Sequence, residues 1–489
     1  MRPAKLLAAM TAAVLLAGCA VGPNYNRPPA PTPASDAYKT EPPWRVAAPK
    51  DALPKGVWWE VFNDSELNNY EQQVLAANQS LLAAKDRLEE ARSLARVTSA
   101  EFFPQATVDP SGSRNRYAGN RPEVVTLGKP LTQSTYTVPF FVNYEPDLFG
   151  KVRRSMQASN ASLQASAADL YNVQLVLTSE LAADYFSLRE LDAETQVVQE
   201  SVAIQQKGLQ LVNSRHAGGV ASGLDVAQQQ TLLDSTDAQL FLVQQQRQQF
   251  EHAIAVLTGN PASTFSVPVR PLTITPPPVP LGVPSDLLER RPDVASAERQ
   301  MAYQNALIGV AKAAFYPQLT LSGSGGFQST NIANLITAPN AIWSLGGDLL
   351  QPVVNGGANR AHLAYARHSY DESVANYRET VLVAFQEVED GLSGLSQLTQ
   401  ATANQNAAVA SARRALEISN NRYVGGVTSY LDVVTAQAAL LTNQRLATQL
   451  LGQEMVIEVS LIKALGGTWD ASQIQNEQVH PKAIQAIQQ

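Results

Sequence analysis

The stretch RYVGGVTSYLDV (Arg422–Val433) has a near copy, RHAGGVASGLDV (Arg215–Val226), and eight of the twelve aligned positions are identical. The glycine pairs, Gly218-Gly219 and Gly425-Gly426, suit a helix C-terminus, where one residue must adopt a left-handed conformation. Ser222 and Asp225, like Ser429 and Asp432, have the spacing of a capping box for a following helix, with Asp in place of the usual Glu or Gln. Each copy reads as a helical reversal: stop, turn, restart. A phrase written twice at such a distance implies that the architecture around it is also written twice.

The flanking segments bear this out. Before the first copy, Leu170, Val173, Leu177, Leu181, Tyr185, Leu188 and Leu191 step by three or four, and no proline interrupts the pattern from about Gly150 to Arg215. A helix of about 60 residues would reach roughly 90 Å, far beyond ordinary globular helices. A further helical pattern runs from about Leu224 to Leu257. The second copy has the same surroundings: a long helix from near Ala358, with Val374, Tyr377, Val381, Phe385, Val388, Leu392 and Leu395 on its face, and a last helix to about Leu465.

Further upstream in each half the period changes to two, the signature of a strand. Tyr136, Val138, Phe140, Val142 and Tyr144 alternate with Thr135, Thr137, Pro139, Phe141 and Asn143. A weaker candidate from about Gln105 to Arg116 would pair with it as a hairpin across AGNRPEVVTLGK. In the second half, Leu319, Leu321, Gly323, Gly325 and Phe327 alternate with polar residues, as do Trp343, Leu345, Gly347 and Leu349. The strand starts also match: FFPQAT at Phe102 against FYPQLT at Phe315. The expected strands are residues 104–116, 134–148, 317–329 and 341–354, within repeats spanning 67–258 and 291–466. A continuous helix with a heptad seam (Leu67, Val74, Leu81, Leu88, Ala95) opens the first repeat, and a helix from about Arg291 to Phe315 opens the second. Eight prolines between Pro261 and Pro284 make residues 259–290 a linker, and residues 467–489 form a tail.

The first residues carry an address. Arg2 and Lys5 precede the short apolar run LLAAMTAAVLLAG, which ends at Cys19. This is a secretory signal over residues 1–18, too short for a confident membrane span. LAGC matches the bacterial lipobox, so Cys19 is expected to become the first residue of the mature chain, carrying N-palmitoyl and S-diacylglycerol groups. It is the sole cysteine, which leaves neither a disulfide nor a cysteine metal site. The Pro-rich VGPNYNRPPAPTPASDAY reads as an extended tether within residues 19–66. A net charge of −7 argues against nucleic acid as a partner, and no cofactor other than the lipid is expected.

Four strands per chain cannot close a barrel with a lumen, and open edges in lipid leave backbone groups unpaired at several kcal/mol each. The strands are therefore completed by other chains, or they lie outside a membrane. The expected fold is a mixed α and β membrane protein with two structural repeats, four barrel strands and very long helices. The competing reading is a structural coiled-coil envelope lipoprotein, a rod anchored by Cys19 and without a channel.

Several stretches resemble the outer-membrane factor family, the TolC-like efflux channels, in the lipoprotein branch called the NodT family. They are CAVGPNY at Cys19, WWEVFNDSEL at Trp58, YEPDLFGKVRR at Tyr144 (where a Trp is usual) and PSDLLERRPDVASAERQMAYQNALIGVAKAAFYPQLTLSGSGG from Pro284 to Gly326. The resemblance implies a homotrimer with a twelve-stranded β-barrel continued by a periplasmic α-helical barrel. It also implies a Gram-negative outer membrane, its lipid, a periplasmic adaptor and an inner-membrane pump of the resistance-nodulation-division type. The function implied is an exit duct that passively exports drugs or other small toxic compounds.

No catalytic constellation stands out. The five histidines (His216, His252, His362, His368 and His480) fit no metal or triad spacing. LERRPD at Leu288–Asp293 reads as packing and capping. The resemblance places a periplasmic gate at the reversals. Leu431 stands where an apolar constricting residue is common. Thr435 stands where many relatives carry a constricting Asp, and Asp432 is the substitute carboxylate or simply a cap. Arg422 and Tyr423 are candidates to hold the tip shut across protomers, with Arg215, Leu224 and Asp225 as their counterparts in the first repeat.

Overall fold

Helices as long as these need an uninterrupted apolar stripe and firm stops, and the sequence supplies both. The computed structural model describes residues 20–31, 57–118, 131–272, 290–467 and 469–481. Cys19, the signal segment, the hairpin loop after Ala118 and most of the Pro-rich linker lie outside the described residues.

A 3-10 turn at Trp58–Phe62 leads into α1 (Ser65–Ala77) and α2 (Gln79–Ala100). Then come β1 (Gln105–Val108), β2 (Ser111–Tyr117) and β3 (Leu131–Tyr144). Helix α3 (Lys151–Ala217, 67 residues) turns back into α4 (Gly223–Leu257, 35 residues). The second repeat has α5 (Pro292–Ala313), β4 (Gln318–Ser329) and β5 (Ala341–Leu350). It ends with α6 (Ala358–Val424) and α7 (Tyr430–Ala464), again 67 and 35 residues. At 1.5 Å per residue the long helices span about 100 Å. Among the described residues no helix is long and apolar enough to cross a membrane.

The single heptad helix expected from Leu67 is in fact two. Asn78 has an extended backbone (ψ 124°), and its side chain accepts from the Leu81 amide and donates to the Leu257 carbonyl at 2.9 Å. An Asn that can cap one helix and close the end of another outweighs an unbroken seam. The seam survives the break, since Leu67, Val74, Leu81 and Ala95 are buried.

The sheet is antiparallel in the order β1–β3–β4–β5, with β2 also on β3. Val108 faces Phe140 and Ser111 faces Thr137, so the register runs unshifted through Asp109-Pro110. β1 and β2 are therefore one strand interrupted by a proline that cannot donate to the ladder. On one face lie Tyr136, Val138, Phe140, Leu321, Phe327, Trp343 and Leu345. The other is mainly polar, with Ser, Thr and Gln side chains that include the pairs Ser111–Thr137 and Ser324–Ser344, each at 2.8 Å, and with Phe141, Ile342 and Leu350 among them. Strand β5 is solvent-exposed along its whole length, with Trp343 78% and Leu345 80% exposed. Among the described residues its outer edge and that of the β1/β2 strand pair with no other strand.

The main core lies midway along the helices. Trp58, Trp59, Phe62 and Tyr70 pack on Tyr185, Phe186, Val388, Leu392 and Met455. A charge network seals it: Arg189 pairs with Asp192 (2.9 Å) and Glu66 (2.7 Å), and Arg247 with Asp192 (2.6 Å). Arg270, in the linker, pairs with Asp64, which also caps α1 and accepts from the Tyr185 hydroxyl at 2.8 Å. The linker's first part is thus pinned to this core. Arg291 of LERRPD is buried, binding Asp293 (2.7 Å) and Glu387 (2.5 Å). The tail turns through a 3-10 segment at Ala471–Ile474 and fastens to α3 where Asn160 exchanges two bonds with Val479.

The extended segment after Cys19 is gripped rather than loose. Arg154, buried in α3, donates to the carbonyls of Val21 (3.1 Å) and Gly22 (3.2 Å) and to Asn24 (3.0 Å). Tyr25 donates to Glu298 (2.5 Å), and Arg27 donates to the Tyr377 hydroxyl (3.0 Å). This extended segment is held mostly by side chains, and hydropathy patterns do not register that.

Candidate functional site: the paired helical reversals

Both reversals end their long helix in the same way. Val220 donates to the Arg215 carbonyl (2.8 Å) and Gly219 to that of His216 (2.9 Å). Val427 and Gly426 repeat this on Arg422 and Tyr423 (2.9 and 3.0 Å). Gly219 and Gly426 both have φ 73°, in the left-handed region where a Cβ is strained.

The restarts differ. At the first, Ser222 and Asp225 form the full capping box, with bonds of 2.9 and 3.2 Å. At the second, the Ser429 side chain caps nothing, and the Thr428 hydroxyl donates to the Asp432 carboxylate instead. The first copy has Ala221 at the place of Thr428, so its Asp has no such competitor.

The two reversals meet through a small aromatic cluster. The Arg215 guanidinium lies 4.8 Å from the centre of the Tyr423 ring. Tyr423 meets Tyr430 edge-on at 4.7 Å. The Tyr430 hydroxyl donates to Gln229 (2.9 Å), whose amide donates to the Gln205 carbonyl (2.9 Å). Val212 and Val433 complete the cluster. Burial raises the Tyr430 hydroxyl well above its ordinary pKa, and Tyr423 and Asp225 push it the same way. Burial likewise raises Tyr423, against the nearby Arg215 cation. Both rings stay neutral and act as packing and hydrogen-bonding groups.

Of the residues named from sequence, Arg215 and Tyr423 are brought together within one protomer. Asp225 is half-buried beside them and committed to its cap. Leu224, Leu431, Asp432 and Arg422 point outward, with Leu431 51% exposed. The guanidinium on Tyr423 is thus that of Arg215, from the other repeat. Tyr430 and Gln229 escaped the sequence reading. The signal for Tyr430 was its departure from the repeat, since the first copy has Gly223 there. Nothing in the pattern marked Gln229. Among the described residues no group of His, Cys, Asp or Glu could hold a metal ion.

Two repeats of strand pair, 67-residue helix, reversal and 35-residue helix define an outer-membrane efflux channel. The chain belongs to the outer membrane efflux protein family, whose model matches residues 71–260 and 283–467, one match in each repeat. The solvent efflux pump outer membrane protein SrpC of Pseudomonas putida is 33% identical over 469 residues, covering 95% of this chain and 98% of that one. The pyoverdine export outer membrane protein OpmQ of Pseudomonas aeruginosa is 32% identical over 473 residues, covering 96% and 98%. Among solved structures, the outer-membrane channel OprN has a TM-score of 0.85 at 28% identity, covering 92% of this chain and 100% of that one. The CmeC outer membrane channel of Campylobacter jejuni has a TM-score of 0.86 at 25% identity, covering 94% and 99%. The protein is an outer-membrane transport protein, the exit duct of an efflux pump, rather than a structural rod.

Proposed function

We propose that three copies assemble into one conduit, with a twelve-stranded barrel in the outer membrane and a helical barrel below it in the periplasm. The observation that carries this reading is the open, two-faced sheet. One face is apolar, the other is mainly Ser, Thr and Gln, and both edges are unpaired among the described residues. In lipid such edges cost several kcal/mol per unmet backbone group, and closure through identical copies removes them. Around eight strands is the smallest membrane barrel, which one chain does not reach. Detergent-extracted protein is expected to have about three times the chain mass, 52.6 kDa before processing. A stable folded monomer would refute the assembly.

Cys19 is the proposed lipid attachment site, bearing N-palmitoyl and S-diacylglycerol. Its neighbour Ala20 supports this, because it is held against Gly150, where strand gives way to helix, and Val21 donates to the Phe149 carbonyl at 3.0 Å. A lipid at that height would reach the inner leaflet. The duct would receive cargo from a periplasmic adaptor and an inner-membrane pump of the resistance-nodulation-division type, without catalysis of its own. Relatives named for solvents, toluene, antibiotics and pyoverdine support small toxic or secreted compounds as cargo. The reversals would form the periplasmic gate. Arg215 on Tyr423 ties the two hairpins of one protomer, while the outward-facing Leu431, Asp432 and Arg422, with Leu224 behind them, would meet their copies around the axis.

A further inference from the structure

We propose that the base of the sheet carries a binding site for a neutral, flat aromatic molecule on the inner wall of the duct. A cavity of about 560 Å³ lies where β4 and β5 run into α5 and α6. That volume is within the range of ordinary small-molecule pockets. Its walls are apolar: Leu307, Val310, Leu319 and Leu350, with the stacked pair Phe149–Tyr316 (centres 4.9 Å apart, planes at 22°) and Tyr365 beside them.

The charges at its rim are already matched. Glu145 pairs with Lys151 (3.3 Å) and accepts from Gln318 (2.7 Å). Asp147 pairs with Arg153 (3.0 Å) and accepts from the first amides of α3. A cationic ligand would find no carboxylate to spare, whereas a neutral aromatic one would meet ring faces, the His362 imidazole and aliphatic walls. Tyr365 is 74% exposed, and its counterpart at the same place in α3 is the small Ala158. The aromatic wall is thus not a requirement of the repeat.

One observation puts the cavity on the lumen side, and it rests on the lipid reading of Cys19. The segment after Cys19 lies on the face of α5 formed by Glu298, Asn305 and Gly309. At 100° per residue, Leu307, Val310 and Ala314 point roughly the opposite way.

The test uses the full-length lipidated protein in lipid nanodiscs, with 1-fluoronaphthalene followed by fluorine NMR against empty nanodiscs. Saturable binding above the lipid background is expected, displaced by unlabelled naphthalene. Val310→Trp fills the cavity and should abolish the saturable component. Tyr365→Ala, a surface truncation that keeps the fold, should weaken it roughly three- to tenfold. Val256→Trp, on the exposed side of α4, should leave it unchanged. No saturable component in the wild type, as when a second copy covers Tyr365, overturns the site. So does binding that both cavity variants retain in full. Acylation of Cys19 is read separately from the mass of the N-terminal peptide. An unmodified cysteine with saturable binding would retract the lipid argument for the lumen side and leave the site standing.

Discussion

Tyr423 is the residue through which one repeat holds the other at the tip. Its ring takes the Arg215 cation on one side and Tyr430 on the other. A cation–π contact of this kind contributes about 0.5–2 kcal/mol. Tyr423→Phe keeps the ring and loses a buried hydroxyl that has no hydrogen-bond partner among the described residues, so thermal stability should stay within about 0.5 kcal/mol of wild type. Tyr423→Ala removes both contacts and should raise resting conductance, measured in a planar bilayer. Equal behaviour of the two variants would show that the ring holds nothing.

Glu190 makes a pH-dependent prediction. Burial, then the neighbouring Glu194 carboxylate, raise its pKa to about 8, against the Arg445 cation. The folded protein therefore holds this proton more tightly than the unfolded chain does. Its contribution to stability is whole below the ordinary carboxylate range and is lost as pH rises through about 8. Glu190→Gln should flatten the fall in melting temperature between pH 4.5 and about 8, the range the shift spans. A fall as steep as in wild type would remove Glu190 as its source.

Among the elements, the strands and reversals depend on particular glycines and caps. A Cβ on Gly326 would lie 2.2 Å from the Val138 carbonyl oxygen, across the β3–β4 ladder, whereas one on Gly325 would meet nothing within 4 Å. Gly326→Ala should block assembly, seen as loss of the heat-resistant oligomer on gels, and Gly325→Ala should not. The caps give a second contrast. Ser222→Ala should destabilise the start of α4 by about 1 kcal/mol, and Ser429→Ala should cost α7 less, measured by amide hydrogen exchange. Equal losses would contradict the difference between the two restarts.

The long helices were legible because their stripes run unbroken to a Gly-Gly stop, and β3 because Tyr136, Val138, Phe140, Val142 and Tyr144 recur at every second position. The break at Asn78 was not legible, because an Asn that caps across two helices looks like any polar residue on a heptad flank. Nor was Arg154, whose partners include two backbone carbonyls more than a hundred residues away. At the tip, sequence named the helix stops and offered Arg422 and Tyr423 as contacts across protomers, but it did not show that Arg215 meets Tyr423 within one protomer. Chain neighbours are visible in a sequence, whereas a contact between repeats is fixed by how two 67-residue helices cross.

For the whole molecule, the account is of a conduit that identical copies close and whose tips hold it nearly shut. The lipid is secondary to the barrel in this picture. Cys19→Ala should lose incorporation of radioactive palmitate while assembled protein stays in the membrane, and unchanged labelling would remove Cys19 as the site. The central claim is tested most directly by single-channel conductance of the reconstituted protein, comparing wild type with the Arg215→Ala, Tyr423→Ala double variant. The account predicts discrete, small openings in wild type and a severalfold larger conductance in the double variant. Inserted, correctly assembled double variant that conducts no better than wild type would contradict it.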